Sequence, residues 1–264
     1  MVIKSKLIGF AAWLLEKTFP HTELALRLEL KVEGADWAVR PPDFPINNTT
    51  LRSRSEVEDA TNILIQNGFY VIDDIPKNWD ALIALSSVLE NTSAGDFILD
   101  AGAPLYSSIL PWLFLSGYTN LIGIDLIFDK EVNRGPIRYL RRDLTSTEFP
   151  DCFFSAVTCM SVIERGVDLK KYFLEMFRIL KPGGVLVTST DYWETGVDTQ
   201  GKIAFGEPVV VFDRRGIEIM LEIATECGFE STGEINFDCG EKVVHWDLVE
   251  LDYTFIVFTL RRPS

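Results

Sequence analysis

"ILDAGAPLYSSILPWL", residues 98–113, runs an apolar strand into a tight turn and then a helix-forming stretch, the arrangement in which many α/β enzymes hold a nucleotide. Gly102 is the one glycine of that turn; Ala103, Pro104, Leu105, Tyr106, Ser107 and Ser108 follow it. A pyrophosphate cradle needs glycines spaced G-x-G-x-x-G, so that backbone N–H groups at a helix N-terminus approach the phosphates closely, and that spacing is absent. The stretch therefore predicts a nucleotide-type fold and disfavours a dinucleotide. Hydroxyls and N–H groups near Ser107 and Ser108 are the capping groups expected to face a ligand.

Downstream of Ser93, strand and helix patterns alternate, as in a parallel sheet covered by helices on both faces. Strands are predicted at "FILDAG", "LIGIDL", "IRYLRRDL", "FSAVTCMSVI" and "GGVLVTST", with a last one at "YTFIVFTLRR". Helices are predicted over 107–115 and 169–180 and, more weakly, near Lys130, and a further helix–strand pair begins at Asp213. Ligands in such sheets sit beyond the carboxyl ends of the strands. Three acids fall there: Asp100, Asp125 and Asp143. A carboxylate at the second strand end suits a ribose because it accepts hydrogen bonds from two adjacent hydroxyls.

Upstream, "PPDFPINNTT" (41–50) reads as an irregular connection. Ser55 and Glu58 have capping-box spacing ahead of a helix that Gly68 stops, and "NWDALIALSSVLENT" predicts a second helix packed across the later sheet. The division expected is a helical N-terminal extension over 1–92 and a Rossmann-like domain over 93–264. The apolar run Leu7–Leu15 is short of the roughly 20 residues of a membrane-spanning helix. A helix docked on the protein or a partner is the first reading of it, and membrane-surface contact the second. His21, in the same segment, has no motif around it.

The chain has 264 residues, 47% of them hydrophobic and 24% charged, enough for one large core. Its net charge of −14 would repel a phosphate backbone, so no nucleic acid partner is expected. Cys152, Cys159, Cys227 and Cys239 are too far apart for zinc-ligand spacing, so no metal is expected, and free thiols suit a cytoplasmic location.

In order and spacing, "ILDAGAPLYSS", "LIGIDL", "RRDLTSTEFPDCFFSAVTCMSVIE" and "ILKPGGVLVTSTDYW" resemble class I S-adenosylmethionine-dependent methyltransferases, of the methyltransferase type 11 kind, over about residues 93–262. The resemblance implies a doubly wound, seven-stranded α/β sheet with an antiparallel last strand, S-adenosylmethionine as cofactor, and methyl transfer. It also implies that Asp100, Ala101 and Gly102 lie beside the methionine part of the cofactor. Asp125 would take the ribose hydroxyls, with Leu126 next to it in the cofactor site; Asp143 and Leu144 would meet the adenine, and Met160 and Ser161 would pack the cofactor at the fourth strand end. The family usually has two more glycines in the first turn, where this chain has Pro104 and Tyr106.

For the acceptor, Glu164 after the fourth strand and Asp191 after the fifth are the candidate catalytic carboxylates, and His245, ahead of the last strand, is the candidate histidine. Tyr192 and Trp193 beside Asp191 suit stacking on a polar ring, so a small-molecule or glycan acceptor is expected. Two other readings stay open: a non-catalytic protein that kept the fold and lost its cofactor, and another nucleotide-binding Rossmann enzyme. The missing phosphate turn disfavours the second.

Overall fold

The computed structural model describes residues 22–204 and 206–264; the Leu7–Leu15 run and His21 lie outside them. Helix α1 (Glu23–Glu33) starts at Thr22, whose hydroxyl accepts from Ala25 N–H, and stops at Gly34 with φ +113°. Strand β1 (Asn48–Thr50) precedes α2 (Arg54–Gln66). The N-cap of α2 is Ser53, with Glu56 reaching back to Arg52 N–H at 2.8 Å. The expected Ser55–Glu58 box is thus displaced two residues toward the N-terminus, where the same spacing recurs.

Helix α3 (Lys77–Asn91) is buried from Asn78 through Val88 and packs across the sheet. Asn78 anchors its start by accepting from Ile72 N–H and donating to the Ile72 and Ile75 carbonyls.

The sheet then builds in alternation: β2 (Ile98–Ala101), α4 (Ile109–Leu115), β3 (Leu121–Ile124), β4 (Val132–Arg134), β5 (Ile137–Leu140), β6 (Phe154–Met160), α5 (Leu169–Ile179) and β7 (Leu180–Tyr192). A hairpin of β8 (Ile203–Ala204) and β9 (Glu207–Pro208) leads to α6 (Arg214–Glu226), capped by Asp213. Short β10 (Glu230–Ser231), β11 (Ile235–Asn236) and β12 (Val244–Trp246) precede the long β13 (Leu251–Arg261). The main order is β11-β1-β13-β7-β6-β2-β3-β5-β4. β5, β3, β2, β6 and β7 are parallel, and β13 runs antiparallel to β7 over Thr254–Arg261. This is the doubly wound, Rossmann-like α/β sheet with a reversed last strand.

Two features depart from the expected pattern. The weak helix near Lys130 is absent: Gly135, at φ +59°, turns the chain so that β4 pairs antiparallel with β5. A Cβ at Gly135 would lie 2.9 Å from Leu26, so α1 packs directly on that turn. Towards the other edge β1 sits between β13 and β11, antiparallel to the first and parallel to the second, while the chain directly after α6 forms the two-residue strands β10 and β11. Residues 48–91 therefore contribute a strand next to the edge and a core helix to the sheet's own layers.

The alternation of each strand divides the core between two faces. Ile98, Ala156, Val187 and Phe255 join α1–α4 on one side; Leu99, Val157, Leu186 and Ile256 join α5 and α6 on the other. Trp112 of α4 meets Phe69 and Tyr70 edge-on, tying the segment before α3 to the domain. No helix among the described residues is long and apolar enough to cross a membrane.

Candidate active site

The first turn is tied to its own chain. The N–H groups of Gly102 and Ala103 both donate to the Ile124 carbonyl, at 2.7 and 2.9 Å. Gly102 has φ +82°, and a Cβ there would lie 2.4 Å from a Val162 methyl, so Val162, just past β6, fills the space that the glycine leaves. Asp100 is 2% exposed and fully engaged: Ser107 Oγ donates to Oδ2 at 2.7 Å and Thr158 Oγ1 to Oδ1 at 2.8 Å. Burial pushes its carboxyl up to about 6 against the pull of those two hydroxyls. Ala101 is wholly buried. Ser107 thus serves Asp100, α4 begins two residues later than expected, and Ser108 makes no side-chain capping bond. Neither of the two expected hydroxyls caps the helix.

Beyond β3 the arrangement differs. Asp125 is half-buried, and its one hydrogen bond as acceptor is at Oδ1, from Ile127 N–H at 3.0 Å. Leu126 and Ile127 beside it are 58% and 63% exposed, and Leu105 and Tyr106 of the first turn are also exposed. Large apolar side chains left open at the carboxyl ends of adjacent strands are the kind of surface that a nucleoside covers. Asp143 is exposed and accepts from Thr145 N–H and Oγ1, with half-buried Leu144 packed on the core. A groove of about 1,260 Å³ opens beside the turn, between Glu29 and Glu33 of α1, Tyr70, Asp74, Tyr106 and Arg134. Burial holds the Glu33 carboxyl above the usual range.

The densest polar network lies at the ends of β6, β7 and β13. Ser161 takes φ +54°, a left-handed conformation rare for a non-glycine residue. Glu164 is 4% exposed; Thr190 Oγ1 donates to its Oε2 at 2.9 Å, and its Oε1 is buried with no partner. Asp191 is 3% exposed and hydrogen-bonded with Tyr253. Burial holds both carboxyls well above the usual range; the Asp191 charge adds to the effect on Glu164, while Lys77 opposes it on both.

Lys77, at the start of α3, reaches into this network. Its ammonium contacts Ser161 Oγ, lies 3.5 Å from Asp80 Oδ2, and sits 3.5 Å from the centre of the Phe255 ring. Asp80, 1% exposed, accepts from Ser189 Oγ at 2.6 Å.

The sequence-predicted residues therefore divide. Glu164 and Asp191 come together beside Met160 and Ser161. His245 does not join them: its Nδ1 lies 2.8 Å from Asp252, its Nε2 is 3.3 Å from Asp247, and the Asp252 contact raises its pKa. Its neighbour Trp246 faces the acids instead, because successive strand residues point to opposite sides. The same alternation buries Tyr192 completely on the α5–α6 face, where its hydroxyl donates to the Phe237 carbonyl, so it offers no ring at the mouth of the site. Trp193 is half-buried, with Lys242 over its ring. Lys77, Asp80, Thr190 and Tyr253 were not singled out from sequence; Lys77 and Asp80 stand 84 and 109 residues before their partners Ser161 and Ser189.

Comparisons with known proteins agree with this architecture. Residues 99–188 match the family model described as a methyltransferase domain. A search of curated proteins finds no match. Among solved structures, the chain is similar to phosphoethanolamine N-methyltransferase 2 of Haemonchus contortus in complex with S-adenosyl-L-methionine (16% identity, TM-score 0.52), covering 78% of this chain and 56% of that one. It is also similar to the 1,6-didemethyltoxoflavin-N1-methyltransferase of Burkholderia thailandensis with bound 1,6-didemethyltoxoflavin and S-adenosylhomocysteine (14% identity, TM-score 0.50), covering 80% and 85%. At such identities the likeness shows the fold. The matched stretch carries a methyltransferase domain, and with the reversed last strand the chain has the fold of the class I S-adenosylmethionine-dependent methyltransferases, which it resembles.

Proposed function

We propose that the protein transfers a methyl group from S-adenosylmethionine to a small polar acceptor, a small molecule or a glycan terminus. The observation that carries this reading is the surface after β3: Asp125 with an uncommitted carboxylate oxygen, flanked by exposed Leu126 and Ile127, in a domain that matches a methyltransferase model. Asp125 would hold the ribose hydroxyls, and Leu126, Ile127 and Leu144 the adenine. Met160 and Ser161 would border the methionine part, whereas Asp100, Ala101 and Gly102 support the turn from within. The cofactor, when bound, supplies an electrophilic methyl group; the protein's part is chiefly alignment and removal of a proton from the acceptor. Glu164 and Asp191 are the residues for that proton.

One observation favours a second reading, a fold that no longer binds cofactor: both turn amides are spent on Ile124, and Val162 fills the Gly102 space. Incubating the protein with radiolabelled S-adenosylmethionine and pooled polar metabolites separates the two. Labelled acceptor that disappears in Asp125→Ala supports transfer; no label in any acceptor fraction supports the second reading.

A further inference from the structure

We propose that the small cavity beside the β8–β9 hairpin receives the ammonium head of a primary amine, so that the acceptor is an amine rather than a sugar hydroxyl. This rests on the methyltransferase reading and names its substrate class. The cavity is lined by Glu164, Arg165, Asp191, Ala204, Pro208 and Trp246, and its volume is about 10 Å³, room for one water-sized group. A sugar ring does not enter it without displacing the hairpin, whereas an ammonium is water-sized and carries three donors.

The acceptors for those donors are present. Glu164, on the cavity wall, leaves Oε1 buried and unpartnered, and Asp191 stands beside it. The charged groups around the pair come from every neighbouring element. Lys77 and Asp80 belong to α3, with Asp74 just ahead of it; Arg165 follows Glu164; Tyr253 lies on β13 and Glu207 on the hairpin. With Glu164 neutral before binding, the carboxylates of Asp74, Asp80, Asp191 and Glu207 still outnumber the two cations, so the enclosure favours a further positive charge, which a hydroxyl lacks. Trp246, Pro208 and Val209 give apolar walls for the carbon beside the nitrogen.

Entry of a cation favours the ionised form of Glu164, so a proton leaves its carboxyl for solvent on binding. The carboxylate then takes one N–H proton back from R–NH3+, leaving R–NH2 with a free electron pair on nitrogen and a neutral Glu164. The charges and the single proton balance with no other reactant.

The test titrates the full chain at pH 7 with benzylamine, and with the shape-matched benzyl alcohol and methyl glucoside. Thermal denaturation is followed alongside calorimetry in two buffers of different ionisation enthalpy. Benzylamine should raise the Tm and release up to about one proton per molecule bound, and the two neutral probes should do neither. Glu164→Gln should weaken benzylamine at least tenfold and abolish proton release. If that variant is unstable, Ala204→Leu, which fills the cavity from its roof, should abolish the response instead. Equal stabilisation by either neutral probe, or a benzylamine response that survives both substitutions, overturns the assignment. S-adenosylhomocysteine binding without a benzylamine response overturns the amine assignment alone; failure of both ligands overturns the underlying reading too.

Discussion

Gly102→Ala isolates what the glycine of the first turn does. The residue has φ +82°, and a Cβ built there lies 2.4 and 2.7 Å from the two Val162 methyls and 3.1 Å from Val162 Cβ. The left-handed conformation costs an L-residue about 1–2 kcal/mol, and forcing a methyl into filled space adds about 1–3 kcal/mol. Rotation of Val162 gives little relief, because a β-branched side chain is stiff at χ1 and its Cβ is itself close. The substitution should therefore destabilise the protein by about 2–5 kcal/mol. In a Val162→Ala background both methyl clashes are gone and only the 3.1 Å Cβ contact remains beside the backbone term, so the cost there should fall towards about 1–2 kcal/mol. Urea denaturation of the four proteins in the cycle measures both. An equal cost in the two backgrounds would refute the packing argument, and a cost below about 1 kcal/mol in the native background would refute both terms.

Three further outcomes follow from the site. Asp125→Ala should weaken S-adenosylhomocysteine binding by about 1.5–3 kcal/mol, the range for hydrogen bonds to a charged group, and an unchanged affinity in the folded variant would remove Asp125 from the ribose. Asp100, raised to about 6 in the folded chain from 3.8, stabilises the fold fully below about pH 4 and loses that contribution as pH rises through 6, a swing of at most about 3 kcal/mol. Asp100→Asn keeps polar partners for Ser107 and Thr158 and should flatten the stability profile between those pH values; a profile as steep as that of the native chain would count against a buried, shifted carboxyl. Lys77→Met leaves Asp80 and Asp191 without their nearest cation and should cost about 1–3 kcal/mol at pH 7, discounted because Lys77 is 23% exposed. The penalty should shrink as the pH is lowered and the carboxylates protonate, and a pH-independent penalty would point to lost packing on Phe255 instead.

The parallel strands were legible because buried strands read as short apolar runs closed by turn residues: "ILDA", "LIGI" and "FSAVTCM" are sheet-centre strands. The edges were not. β1 is three polar residues in a stretch rich in proline and asparagine, and β4 replaces a helix because of the Gly135 turn and the α1 packing upon it. In the site, Glu164 and Asp191 were readable as strand-end acids, whereas Lys77 and Asp80 reach the network only through the docking of α3, which carries no local motif. The separation of Asp191 from Tyr192 was available in "TSTDYW": β7 continues through Tyr192, so adjacent residues point to opposite faces. His245 and Trp246 are separated for the same reason, Trp246 being the one turned towards the acids.

Calorimetric titration with S-adenosylhomocysteine tests the central claim, that a cofactor site survives with a single glycine in its first turn. The account predicts binding in the micromolar range, about −8 kcal/mol, lost on substitution of Asp125. No detectable heat, together with no thermal shift at millimolar ligand, would contradict it.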